Sequence, residues 1–193
     1  MFPLTLRVLR LILIRTKRQF LIKQGKSRYR GYKGLKNEMR KLNPEYIQRV
    51  NELINRSPYF ELLSMKMVDV GIGFSLLEID LEKKHLQPFG FVHGGVFASI
   101  IDAAAFWSIF YDIEDPNAGA TTVDLKLNYL APAVSGKLIA RGAQIKLGKK
   151  LGYAEARVTD EGGRLLAHGT STLMILPING LTLDRPLPPK FST

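Results

Sequence analysis

Cysteine is absent from the 193 residues, which excludes disulfides, a thiol nucleophile and cysteine-bound zinc, while a thiol-free chain suits an oxidising or a reducing compartment equally. Histidine is scarce. His85, His93 and His168 are the three present, and no two stand at metal-ligand spacing, so neither a metal nor another cofactor is expected. Acid is nearly missing from one end: Met1 to Lys41 holds thirteen Lys or Arg against Glu38 alone, whereas from Leu42 onward fifteen bases face sixteen acids. The net charge of +11 therefore belongs to the leading segment, and nucleic acid is not an expected partner of the nearly neutral body. A long uncharged run is lacking there as well. Met1 to Ile14 carries Arg7 and Arg10 and is followed by no small-residue cleavage site, which speaks against a spanning helix and a secretory signal. Three readings of the segment stay open: a helix lying on anionic lipid through residues 1–20, an acid-poor import presequence, and a dispensable extension ending before Met39. A cytoplasmic location is expected, peripheral at a membrane if the first of these holds.

At 46% hydrophobic and 23% charged residues, the chain suits one globular domain with extensions. We divide it into a basic extension over 1–41, a domain over 42–176 and a proline-rich tail over 177–193, where prolines stand at 177, 186, 188 and 189. Asn43-Pro44-Glu45 starts a helix with a capping residue, a proline at the first helical position and an early acid. Ile47, Val50, Leu53 and Ile54 form its apolar stripe, and Ser57-Pro58 ends it. Met65 to Val70 and Phe74 to Leu81 read as strands about Gly71-Ile72-Gly73, with a phase shift near Leu77 that suggests a bulge. Four more strands follow a long helix: Val123 to Tyr129, Leu138 to Leu147, Tyr153 to Val158 and Arg164 to Ile175. Short links between them predict an antiparallel meander, an α+β architecture in which about six strands curve around one apolar helix.

That helix holds the most informative residue. From Gly94 to Phe110 it is apolar on every face, and Asp102 is its one charge. A buried carboxylate without compensation costs several kcal/mol, so Asp102 needs a chemical reason to be there. His93-Gly94-Gly95 opens the same helix, placing backbone donors at its start and an acid two turns on, a pairing suited to attack on an acyl group. Gly94 and Asp102 are eight residues apart, roughly 12 Å along a helix, whereas an oxyanion donor and a nucleophile must each reach one carbonyl within about 3 Å. Two antiparallel copies satisfy both demands, so a two-fold dimer with composite sites is expected.

Gly90-Phe91-Val92-His93-Gly94-Gly95, followed by Asp102 and by Thr122-Val123-Asp124-Leu125-Lys126-Leu127-Asn128-Tyr129-Leu130-Ala131-Pro132-Ala133, resembles the hotdog-fold acyl-CoA thioesterases of the PaaI-like type over about Pro44 to Leu176. The resemblance implies a hotdog fold, acyl-CoA as substrate, and homodimers paired into homotetramers. It also implies roles: a carboxylate at Asp102 as nucleophile or general base, the Gly94 N–H as donor to the thioester oxygen, and the Thr122 hydroxyl as a guide for water. Many members carry asparagine six residues before the histidine; Gln87 stands there in this chain, polar but of different reach. Ile100, Ile101 and Phe106 are expected to desolvate Asp102. His93 either orients Gln87 or the substrate amide, or is simply hydrogen-bonded in the turn. Gly95 and Phe89 are candidate substrate contacts, as are Lys149 and Lys150 toward the coenzyme phosphates, although a solvated hairpin tip also explains the lysines. Phe89, Phe91 and Trp107 either line an acyl channel or belong to the core. A non-catalytic acyl-CoA-binding module is the alternative function. A hotdog dehydratase ranks low, because the His-Phe-Pro string is absent and the long helix has no Glu.

Overall fold

The computed structural model describes residues 41–177 and 187–192, all within one of the two units into which the chain divides, Arg40–Thr193. The basic segment with its lipid-surface reading lies outside the described residues, apart from Lys41. Elements follow the order β1 (Lys41–Leu42), α1 (Pro44–Asn55), α2 (Pro58–Leu62), β2 (Met65–Gly71), β3 (Phe74–Asp80), a 3-10 turn (Lys83–His85), α3 (Gly94–Phe110), β4 (Ala118–Tyr129), β5 (Lys137–Leu147), β6 (Leu151–Thr159), β7 (Leu165–Pro177) and β8 (Phe191–Ser192).

Local chemistry sets the first helix as expected. The Asn43 side chain accepts a hydrogen bond from the Glu45 N–H at 3.0 Å, and Pro44 occupies the first turn. Its buried face is rotated from the expected stripe: Tyr46, Val50 and Ile54 are the buried residues, and Tyr46 packs edge-on against Tyr111 at 6.1 Å between centroids. Aromatic area wins that face from Ile47. Proline 58 ends α1 but also opens α2, since a residue that cannot continue a helix is well suited to begin one.

Six strands form one antiparallel sheet in the order β2-β3-β5-β6-β7-β4. This corrects the simple meander. After the long helix the chain enters at the far edge, where β4 pairs with β7, and returns to the middle, where β5 pairs with β3. The bulge near Leu77 is present, but on the neighbouring strand: Met67 faces Leu77 and Asp69 faces Leu76, so Val68 is the extra residue. Burial alternates regularly along β3 and breaks on β2. The outer side of β2 is covered by α1, where Asn55 accepts from the Met67 N–H at 2.7 Å and donates to its carbonyl at 3.3 Å.

Helix α3 lies across the sheet, burying Val96, Phe97, Ile100, Ile101, Ala104, Ala105, Ser108, Ile109 and Phe110. Contact is close enough to require glycine at one point: a Cβ on Gly142 would stand 2.1 Å from the Ala104 carbonyl oxygen, which also accepts a 2.6 Å hydrogen bond from Ser75 Oγ. The last described residues of the proline-rich tail return to the domain. Phe191 and Ser192 pair with Leu42 and Lys41, and Lys190 Nζ donates to the carbonyls of Phe110 (2.5 Å) and Ile113 (2.7 Å). A cation placed at a helix C-terminus satisfies carbonyls left without partners in the last turn.

Candidate active site

The face of α3 turned away from the sheet carries Gly95, Ser99, Asp102, Ala103 and Phe106, none of them buried. Asp102 is therefore not the isolated interior carboxylate that the sequence suggests: it is half-buried, and its Oδ1 accepts a 2.8 Å hydrogen bond from Thr122 Oγ1. Of the three residues expected to desolvate it, Ile100 and Ile101 are fully buried in the core, and Phe106 shares its cleft. The cleft, about 400 Å³, is walled by Phe60, Met65, Phe106, Trp107 and Leu125, with Tyr59 and Ser99 alongside.

A second bulge aims Thr122. On β4, Thr122 faces Leu173 and Asp124 faces Thr172, leaving Val123 as the extra residue, 53% exposed. In the sequence Val123, Leu125 and Leu127 alternate with Asp124 and Lys126, a pattern that by itself puts Val123 on the face of Leu125 and Leu127. The inserted residue breaks that phase, so Thr122 and not Val123 meets the helix, a common use of bulges beside sites.

The start of α3 borders a different cleft, also about 400 Å³, lined by Phe91, Val92, Gly94, Phe97, Tyr129, Leu130, Ala131 and Pro132. His93 caps the helix: its Nδ1 accepts from the Gly95 N–H at 2.9 Å. This is the bland reading of His93, hydrogen-bonded in the turn. Gly94 N–H belongs to the first turn, whose donors have no acceptor within a helix. Both glycines are crowded. A Cβ on Gly95 would sit 2.9 Å from His93 Nδ1, and one on Gly94 would sit 3.2 Å from Tyr129 Oη, which itself donates to the Gly94 carbonyl at 3.3 Å.

The loop leading to Gly94 is anchored by a residue outside the candidate set. His85 is fully buried; its Nδ1 accepts from the Glu82 N–H at 2.9 Å and its Nε2 is 2.9 Å from the Leu63 carbonyl, while its own carbonyl accepts from the His93 N–H at 2.9 Å. Beside it, hydrogen bonds from Ser64 and then Lys84 hold the Glu82 carboxyl below its ordinary pKa. Gln87 Oε1 is taken by the Phe89 N–H at 2.5 Å, so this side chain braces its own loop, and Phe89 is 85% exposed. Lys149 and Lys150 lie at the exposed β5–β6 turn. The structure thus brings Asp102 and Thr122 together, groups His93, Gly94 and Gly95 at the start of the same helix, and joins neither cluster to Gln87 or the lysines. Sequence reading missed Tyr59, Ser99, Tyr129 and His85, which meet their partners through tertiary contacts.

Comparison with known proteins bears on the fold that carries these residues. Residues 89–167 match the thioesterase superfamily model, a span that holds Gly94, Asp102 and Thr122. The chain is 29% identical over 115 residues to a 1,4-dihydroxy-2-naphthoyl-CoA hydrolase of Listeria monocytogenes, covering 60% of this chain and 93% of that protein. It is 28% identical over 130 residues to acyl-coenzyme A thioesterase 13 of Mus musculus, covering 65% and 91%. A crystal structure of a thioesterase family protein from Silicibacter pomeroyi superposes with a TM-score of 0.62 at 27% identity, covering 68% of this chain and 98% of that one. A long helix packed on a six-stranded antiparallel sheet gives this domain the hotdog thioesterase fold, and residues 89–167 within it match the thioesterase superfamily.

Proposed function

We propose that the protein hydrolyses acyl-CoA thioesters to the free acid and coenzyme A, with Asp102 of one subunit and the Gly94 N–H of another acting on one carbonyl. The observation that carries this reading is the Asp102–Thr122 contact: a lone carboxylate, held by a hydroxyl, opening into an apolar cleft within the segment that matches the thioesterase superfamily. Thr122 donates to one carboxylate oxygen and leaves the other for water or for direct attack.

In the general-base form, Asp102 takes a proton from water as the water oxygen bonds to the thioester carbon. The negative charge that forms on the carbonyl oxygen is received by the Gly94 N–H at the positive end of α3. Collapse restores the carbonyl, breaks the C–S bond and releases the thiolate, which takes up a proton. In the nucleophilic form, a carboxylate oxygen attacks first and water resolves the anhydride. Both need a second subunit, because Gly94 and Asp102 sit on one continuous helix about 12 Å apart and open into different clefts. Coupling of dimers into tetramers extends the same reading by analogy with the PaaI-like enzymes.

Thiol release from a panel of acyl-CoAs tests the proposal. Wild-type protein should turn over at least one of them, and Asp102→Asn should lower kcat by about 10²- to 10⁴-fold, the range for a lost acid–base group. Binding without turnover across the panel would instead fit an acyl-CoA-binding module.

A further inference from the structure

The acyl cleft beside Asp102 has hydrocarbon and aromatic walls except at one place. Tyr59, from the short helix α2, reaches over to α3, where its Oη lies 2.6 Å from Ser99 Oγ. Ser99 in turn donates to the Gly95 carbonyl at 2.8 Å. A carbonyl can only accept, so the single Ser99 proton is committed to Gly95. The Tyr59 proton must then go to Ser99, and the Tyr59 oxygen is left as an acceptor at the cleft. Ser99 stands three residues before Asp102, about 4.5 Å nearer the start of α3. Tyr59 and Ser99 both line the cleft together with Asp102.

We propose that this polarised Tyr59–Ser99 pair is a specificity element that selects acyl groups bearing a hydroxyl or other hydrogen-bond donor a few bonds from the thioester carbon. The inference rests on the reading of the Asp102 cleft as the acyl site. A donor on the acyl chain completes the relay from substrate to Tyr59 to Ser99 to the Gly95 carbonyl. A keto group in the same place sets lone pair against lone pair. An unsubstituted chain offers the Tyr59 oxygen no donor.

The test compares kcat/KM of the full-length protein on acyl-CoAs of one carbon skeleton: unsubstituted, hydroxylated at successive carbons, and carrying a keto group at the same carbons. Wild type should prefer the hydroxyl at one position by about tenfold over both partners, expressed mainly in KM. Tyr59→Phe keeps the ring and should erase that preference. Ser99→Ala frees the Tyr59 proton while its oxygen still accepts, and should raise the keto substrate relative to the hydroxylated one by about tenfold, a selective gain for one substrate that no packing defect produces. Measurable turnover with no positional hydroxyl preference in wild type, or a preference unchanged in Tyr59→Phe, would overturn the inference and leave the hydrolase reading standing. Absence of turnover on every substrate would instead remove the hydrolase reading and this inference with it.

Discussion

A carboxylate in a nearly uncharged helix draws attention by what it costs, and the structure lowers that cost by two means. Asp102 sits on the open face of α3, and Thr122 donates to it. The Thr122 hydroxyl therefore fixes the rotamer of the acid and the direction of its free oxygen. Thr122→Val removes that hydrogen bond without a change of shape, and should lower kcat by about tenfold and lower the unfolding midpoint, since a half-buried carboxylate loses a donor worth about 1–2 kcal/mol. Steady-state kinetics beside a urea titration would check it; a variant with wild-type kcat would show that Asp102 is placed by something else. Residue chemistry of this kind was legible in the sequence where composition made it conspicuous. One acid among seventeen helical positions and two adjacent glycines at a helix start are visible without coordinates. The Tyr59–Ser99 pair was not, because forty residues separate its members and each is ordinary in its own segment.

Elements were legible in proportion to how far local pattern decides them. The cap of α1 follows from Asn43 and Pro44 alone. Bulges do not, because an extra residue belongs to a pair of strands: the phase shift near Leu77 marked the right place, but the insertion is Val68 on its neighbour, and the Val123 bulge left no signal within an alternating run. The far end of α3 illustrates tertiary control as well. Tyr111 is fully buried there, donating to Asn51 Oδ1 at 3.1 Å, and burial, with a smaller contribution from Tyr46, pushes its pKa well above the ordinary tyrosine value. Burial raises Tyr46 too. Folding thus binds these protons more tightly than the unfolded chain does, so their contribution is complete below about pH 10 and is lost as pH rises above it. Urea midpoints should fall between about pH 9 and about pH 11, and Tyr111→Phe should flatten that fall. An equally steep fall in the variant would place the alkaline sensitivity elsewhere.

At the scale of the molecule, the start and the middle of α3 face two clefts, and neither cleft holds both an acid and a helix start. The sequence spacing already implied this, since eight residues on a helix span too far for one carbonyl. It did not reveal the strand order, which depends on where α3 delivers the chain. Edge strand β4 carries Thr122 on one side of the story and Tyr129, packed against Phe97 at 6.2 Å and bonded to Gly94, on the other. One strand therefore steadies both the acid and the helix start of its own chain, and an antiparallel pair of chains would bring each acid to the other's helix start.

Subunit mixing tests that claim most directly. Gly94→Pro removes the amide hydrogen at the first helical position, after a His93 whose backbone is already extended (φ −64°, ψ 138°), and its ring displaces only the tip of Tyr129, 3.2 Å from a Cβ there. Asp102→Asn removes the acid. Each variant alone should be nearly inactive; after dissociation and random reassociation, half of the dimers should hold one intact composite site, giving about a quarter of wild-type thiol release. A mixture no more active than the average of the two variants would contradict a site shared between subunits.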